Sequence, residues 1–267
     1  MARTASLVFF YFGEESYMNR LAQETVPLAK ALRGYDHAVL LRHETTFGPF
    51  ELSEAAEDAA DVIVTPTREN LAAELNRLGQ EGYDAVDVFI FSHGWDKCFR
   101  VSAGSYGDNT KVCAAYLENN VTPLNIRMVW QCNCWGATLN PTWRRLGAQV
   151  AAGARFVNFY PTRFKGFIRR WHDGVPFSTC LNESDTKAVH TPVQAYMMAD
   201  AAARAKQWDG NAAQALTVLS KAPAAERYFT NCWIAPDEWR DGRSGKQNMN
   251  FASRMLIDGN RKLVRAA

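Results

Sequence analysis

The sequence predicts an α/β protein, a three-layer α/β/α sandwich around a mostly parallel sheet of about six strands. Two observations carry that prediction. The apolar runs at 5–12, 88–91 and 126–130 are short, continuous and bounded by turn residues, the signature of parallel strands buried on both faces. Between the first two lies helical spacing, clearest at Leu71, Leu75 and Leu78, which stand at i, i+4 and i+7. At 267 residues the chain is long enough for one such domain with a substantial core.

The elements follow in order. Residues 5–12 make the first strand, and Gly13 opens a turn into an amphipathic helix with Met18, Leu21, Leu28 and Leu32 on its apolar side, ended by Gly34. Residues 37–41 read as a second strand, 45–60 as a loop with a short acidic helix, and 62–64 as a short strand or buried connector. Thr65-Pro66-Thr67 starts a crossover helix, because a hydroxyl caps unpaired N–H groups and Pro is accepted in a first turn. That helix delivers the chain into the strand before His93 by a right-handed crossover. Residues 99–101, with Gly104 and Gly107, suggest a small hairpin, and 111–119 a helix leading to the strand before Cys134. Further on, 141–152 is expected to be helical, 156–160 a fifth strand, and 163–190 a long exposed functional loop. Helices at 192–208 and 211–221 and an edge strand at 228–234 complete a domain spanning 1–235. The tail 236–267 is expected to pack on that domain as an extension.

Thirty basic against 28 acidic residues leave a formal charge of +2, too small to argue for nucleic acid as a partner. No apolar run approaches a membrane span, so no membrane partner is expected. Six cysteines in a chain of this size do not make a disulfide scaffold, and a thiol nucleophile needs a reducing compartment, so the expected location is cytoplasmic.

Chemistry concentrates between residues 87 and 136. Val88-Phe89-Ile90-Phe91 leads into Ser92-His93-Gly94, and Val129-Trp130 leads into Gln131-Cys132-Asn133-Cys134-Trp135-Gly136. In open α/β sheets the ligand crevice lies beyond the carboxyl ends of the strands, so His93 and Cys134 are expected to face one crevice. A thiol attacks as the thiolate, and a nearby imidazole is the commonest proton acceptor for it. The backbone at Gly94 and Gly136 can approach a substrate carbonyl closely and offer N–H donors to an oxyanion. The alternatives are a His that only hydrogen-bonds, with Cys134 as core filler, or a zinc site on Cys132, Cys134 and His93. Zinc is the weaker alternative, because Cys-x-Cys is an unusual spacing and the metal would occupy the thiolate; no metal or other cofactor is expected. His172, in the expected long loop, is the fallback base. Trp95 and Trp135 are candidates to wall the cleft, with Trp130 and Trp143 as packing residues.

At these residues the chain resembles the caspase-like cysteine peptidases, the group of caspases, metacaspases, legumains, clostripain-like and CHAT-type peptidases. They share an apolar strand ending in His-Gly and a second one ending in Cys-x-Gly; the caspase signature Q-A-C-[RQG]-G, with its His about 50 residues upstream, compares with Cys132-Asn133-Cys134-Trp135-Gly136 and the upstream His93. The Gly153-Ala154 step also resembles the family. Asn133 stands where a small residue is usual, and Cys132 where Gln, Asp or Glu is common.

The resemblance implies a cysteine endopeptidase with a peptide or protein substrate, His93 as general base and acid, and Cys134 as nucleophile. The Gly94 and Cys134 amides would form the oxyanion hole. Cys132, on the same strand face as Cys134, would floor the substrate side-chain pocket or serve only as core. Trp95, Asp96 and Glu14 are further substrate-binding candidates. A neutral residue at 132 implies a small or uncharged substrate side chain. Two other readings stand beside this one: an inactive caspase-like protein that binds peptides, and a cysteine hydrolase acting on a non-peptide substrate.

Overall fold

The computed structural model describes residues 2–13, 28–43, 60–103, 109–154, 162–184 and 255–265. Strand β1 (Thr4–Tyr11) is central. It pairs in parallel with β2 (His37–Arg42) on one side and β4 (Ala85–Ser92) on the other, and β3 (Asp61–Ile63) continues the parallel run beyond β2. Beyond β4 come β8 (Ile126–Cys132) and β9 (Val150–Ala154), both parallel, and then β10 (Met255–Gly259), antiparallel to β9. The sheet is therefore seven-stranded in the order β10-β9-β8-β4-β1-β2-β3. Strands β5 (Gly94–Trp95), β6 (Cys98–Arg100) and β7 (Lys111–Cys113) form a separate antiparallel sheet directly after His93.

Helices cover both faces. Helix α2 (Arg68–Gln80) is capped as its sequence predicts, Thr67 Oγ1 accepting from the Asn70 N–H at 3.1 Å. Its Leu71, Leu75 and Leu78 pack with α3 (Ala114–Asn120), α4 (Asn140–Arg145) and the small sheet over Leu7, Val88, Ile90 and Val129. The other face, with Phe10, Phe89, Phe91 and Trp130, is covered by α1 (Leu28–Leu32), α5 (Thr162–His172) and α6 (Phe177–Ser184). Phe164 of α5 packs into this face, edge-to-face with Phe91 at a centroid distance of 4.9 Å and tilted against Trp130 at 5.0 Å. At the other end of α5, Trp171 Nε1 donates at 2.7 Å to Asp87, a fully buried carboxylate that also accepts from Arg127 Nε (2.8 Å) and Nη2 (2.7 Å) and from the Tyr35 hydroxyl (2.7 Å). A buried carboxylate is tolerable only when so many donors replace its water.

Three expectations are corrected. Residues 163–190 are not a loop through 184: α5 and α6 occupy 162–172 and 177–184, because Phe164, Phe167, Ile168 and Trp171 at i, i+3, i+4 and i+7 are all buried. The helix after the Cys134 turn stops at Arg145 rather than 152, and Gly147, with φ +102°, follows it. Residues 150–154 form strand β9, with small side chains fully buried between β8 and β10, and the strand expected at 156–160 lies outside the described residues. The helix expected over 111–119 opens with three strand residues, β7. Residues 62–63 belong to a strand, and the edge strand paired with β9 comes from the tail, at 255–259. The helices expected at 192–208 and 211–221 and the strand at 228–234 lie outside the described residues. Among the described residues no helix is long and apolar enough to cross a membrane.

Candidate functional site

The β4–β8 register sets Phe91 opposite Cys132. His93 and Cys134, each two residues further on, leave adjacent parallel strands at the same edge of the sheet. Their segments meet through backbone: a Cβ on Gly94 would stand 2.3 Å from the Cys134 carbonyl oxygen and 2.9 Å from Asn133 Cβ, so this approach is open only to glycine. Behind the Cys134 turn, a Cβ on Gly153 of β9 would meet the Gly136 carbonyl carbon at 2.2 Å.

Both turns hold strained backbone. Lys97 (φ 56°) and Trp135 (φ 54°) are the two non-glycine residues with positive φ among the described residues, one in the turn after His93 and one in the turn after Cys134. Such conformations cost of order 1–3 kcal/mol each and persist where surrounding bonds enforce them. Thr138 supplies those bonds: its hydroxyl donates to the Trp135 carbonyl at 2.7 Å and accepts from the Lys97 N–H at 2.7 Å, linking the two turns. Gln131, buried in β8, donates from Nε2 to the Gly136 carbonyl (3.2 Å) and to Asn140 Oδ1 (2.9 Å), while its Oε1 accepts from Trp143 Nε1 (3.0 Å). Asn140 Nδ2 in turn donates to the Leu256 carbonyl of β10 at 2.9 Å.

His93 is half-buried, with the Phe12 ring edge-on at 5.5 Å. Burial lowers its pKa to about 4, helped by the positive charge of Arg100 and opposed by a hydrogen bond to the Phe12 backbone, so the imidazole is neutral at pH 7. Cys134 is half-buried, whereas Cys132 is wholly buried among Phe91, Trp130 and Phe164, a core position closed to a ligand. Asn133 is wholly buried on the opposite strand face, between Gly94 and Gly136, and neither Oδ1 nor Nδ2 has a hydrogen-bond partner. Trp95 is 41% exposed with Lys111 Nζ 4.6 Å from its ring centre, and Asp96 is exposed beside it. Glu14 lies outside the described residues.

His172 stands at the far end of α5 against Tyr35 and Arg265, by the amino ends of the strands, and is therefore removed from Cys134. Cys98 and Cys113, paired across β6 and β7, form a disulfide that the sequence reading did not assign. Sequence reasoning also passed over Arg100, Thr138, Gln131 and Asn140. Arg100 alternates with Phe99 and Val101, which marks a half-buried strand but not what its polar face meets. The chain matches no protein-family model, and no curated protein matches it.

Proposed function

We propose that the chain is a hydrolase using thiol chemistry on an acyl substrate and, more particularly, a caspase-like cysteine endopeptidase. The observation that carries this reading is the exit of His93 and Cys134 from neighbouring parallel strands at one sheet edge, with the Gly94 backbone against the Cys134 carbonyl. Positive-φ strain at non-glycine residues, which among the described residues falls in the two turns beyond His93 and Cys134, supports it as well. In the proposed reaction Cys134 Sγ attacks the peptide carbonyl carbon while His93 accepts the thiol proton. The N–H groups of Gly94 and Cys134 hold the developing oxyanion. The C–N bond then breaks as His93 returns the proton to the leaving amine, leaving a thioester on Cys134. Water, deprotonated by His93, hydrolyses the thioester and regenerates the thiol. His93, neutral before substrate arrives, is in the protonation state a general base needs.

The test is covalent labelling by peptide acyloxymethyl ketones, read by mass spectrometry. Wild type is expected to be modified at Cys134, Cys134→Ala not at all, and His93→Ala at a rate lower by about two or more orders of magnitude. Labelling at other cysteines with Cys134 spared would favour the inactive, peptide-binding reading.

A further inference from the structure

The small sheet after His93 is built from strands of two, three and three residues, at or below the lower limit of strand length, so its ladder alone holds it weakly. One covalent bond runs across it. Trp95 of β5 lies opposite Cys98 of β6, which lies opposite Cys113 of β7 and is bonded to it, so the disulfide stands in register with the segment that leaves His93. Beside the bond is Lys97, held at φ 56°. Its carbonyl accepts from the N–H of Ala114, the residue after Cys113, at 2.9 Å, and its own N–H donates to Thr138 Oγ1 at 2.7 Å. Thr138 Oγ1 donates in turn to the Trp135 carbonyl, in the turn after Cys134. A second path leaves by Gly94, whose backbone lies against the Cys134 carbonyl. The Cys134 turn is thus set against a sheet that the Cys98–Cys113 bond closes.

The bond is open to exchange. Both cysteines are half-buried, and Cys113 lines a cavity of about 360 Å³ together with Arg68 and Lys111. Positive charge there favours the thiolate form of an incoming thiol and of the sulfur it displaces, and both speed thiol–disulfide exchange. A thiolate on Cys134 also requires reducing surroundings, and those surroundings threaten a disulfide. We propose that the Cys98–Cys113 pair is a redox modification site that takes a small thiol or dithiol and switches the Cys134 site, which is set when the bond is closed and relaxed when it is open; this regulatory role rests on the peptidase reading. In the exchange the reductant's thiolate attacks Cys113 Sγ, the S–S bond breaks, and Cys98 leaves as a thiolate that takes a proton from water. A second thiolate, from the same dithiol or another monothiol, displaces Cys113 from the mixed disulfide, and that sulfur is protonated too. Two electrons and two protons have then passed to the protein, and the reductant is left as its own disulfide. With the bond open, the strained Lys97 is released from one of the constraints that hold it at positive φ, and the link through Thr138 to the Cys134 turn loosens with it.

The experiment takes two samples of the full chain, one with the bond closed and one opened by dithiothreitol and then freed of it without air, both shown by peptide mapping to carry Cys134 as a thiol. Labelling of Cys134 by one peptide acyloxymethyl ketone is expected to be slower by about tenfold or more in the opened sample, the scale of a small misplacement of reacting groups, and to recover on reoxidation. Cys98→Ser with Cys113→Ser should label at the opened rate with or without dithiothreitol. If that variant fails to fold, the two wild-type samples decide. Amide hydrogen exchange over residues 94–100 and 133–139 is followed on the same samples; opening should raise it by about tenfold or more in both segments while β4 and β8 stay protected. Equal labelling of the two samples, a folded variant that labels at the closed rate, or a bond that dithiothreitol does not open in the folded chain overturns the switch and leaves the peptidase reading standing. Absence of labelling in both samples overturns the peptidase reading. Exchange then judges the coupling alone, acceleration over 133–139 upholding it and none there ruling it out.

Discussion

At position 94 the candidate site closes through backbone alone, and the atom that a Cβ would strike, the Cys134 carbonyl oxygen, belongs to a turn already pinned by Thr138 and Gln131. That turn has little freedom to retreat. Gly94→Ala is therefore expected to cost about 1–3 kcal/mol in stability, the range for overpacking a well-filled site, and to slow Cys134 labelling although His93 and Cys134 are both intact. Urea midpoints and labelling rates on the same variant check this, and a variant as stable and reactive as wild type would refute the tight contact. Gly94, His93 and Cys134 were legible because each ends or follows an apolar run. Arg100 and Asn133 were not, since the sequence pattern gives the face a polar side chain takes on its own strand but not the segment that packs over it.

Among the elements, α5 carried the clearest signal that the sequence reading missed. Phe164, Phe167, Ile168 and Trp171 have helical spacing, but the intervening Arg, Lys and Gly residues suggested an exposed loop; these polar residues are the outer face of an amphipathic helix. Residues 150–154 were misplaced for a different reason. Val-Ala-Ala-Gly-Ala has the composition of a helix end, and only the close approach of Gly136 to Gly153 explains why a strand of small residues is required there. The small sheet was legible as a hairpin but not as a bonded one, because pairing Cys98 with Cys113 depends on the β6–β7 register. With the bonded cysteines 15 positions apart, loop-closure entropy assigns the bond about 3 kcal/mol. Cys98→Ser with Cys113→Ser should lower stability by roughly 2–3 kcal/mol, and the intact wild-type chain should gain two hydrogens on reduction, both readable by denaturation and mass spectrometry.

For the molecule as a whole, the two histidines with lowered pKa set an acid limit. His93 and His172 are both shifted from 6.5 to about 4, burial being the first cause in each and the neighbouring arginine the second. The unfolded chain therefore binds more protons than the native one between about pH 6.5 and 4. Their contribution is fully present above that window and is lost as pH falls through it. Urea midpoints should drop between pH 7 and pH 5, and His172→Gln should flatten the slope; an unchanged midpoint would mean these imidazoles titrate normally. The parallel order of the sheet was readable in the sequence from its apolar runs, whereas its antiparallel edge was not, because β10 joins a strand from which most of the chain's second half separates it. That separation matters while the protein is being made. Asn140 and the Leu256 carbonyl it holds lie 116 residues apart, so a ribosome finishes the partner strand on the order of ten seconds after the Cys134 turn. Until then β9 is an open edge, and the chain from β10 through Asn140 and Gln131 to Gly136 lacks its first link. A chain ending at residue 254 is expected to aggregate on size-exclusion chromatography and to lose Cys134 labelling. In the growing polypeptide the turn that carries the proposed nucleophile thus stays unset until β10 has been translated.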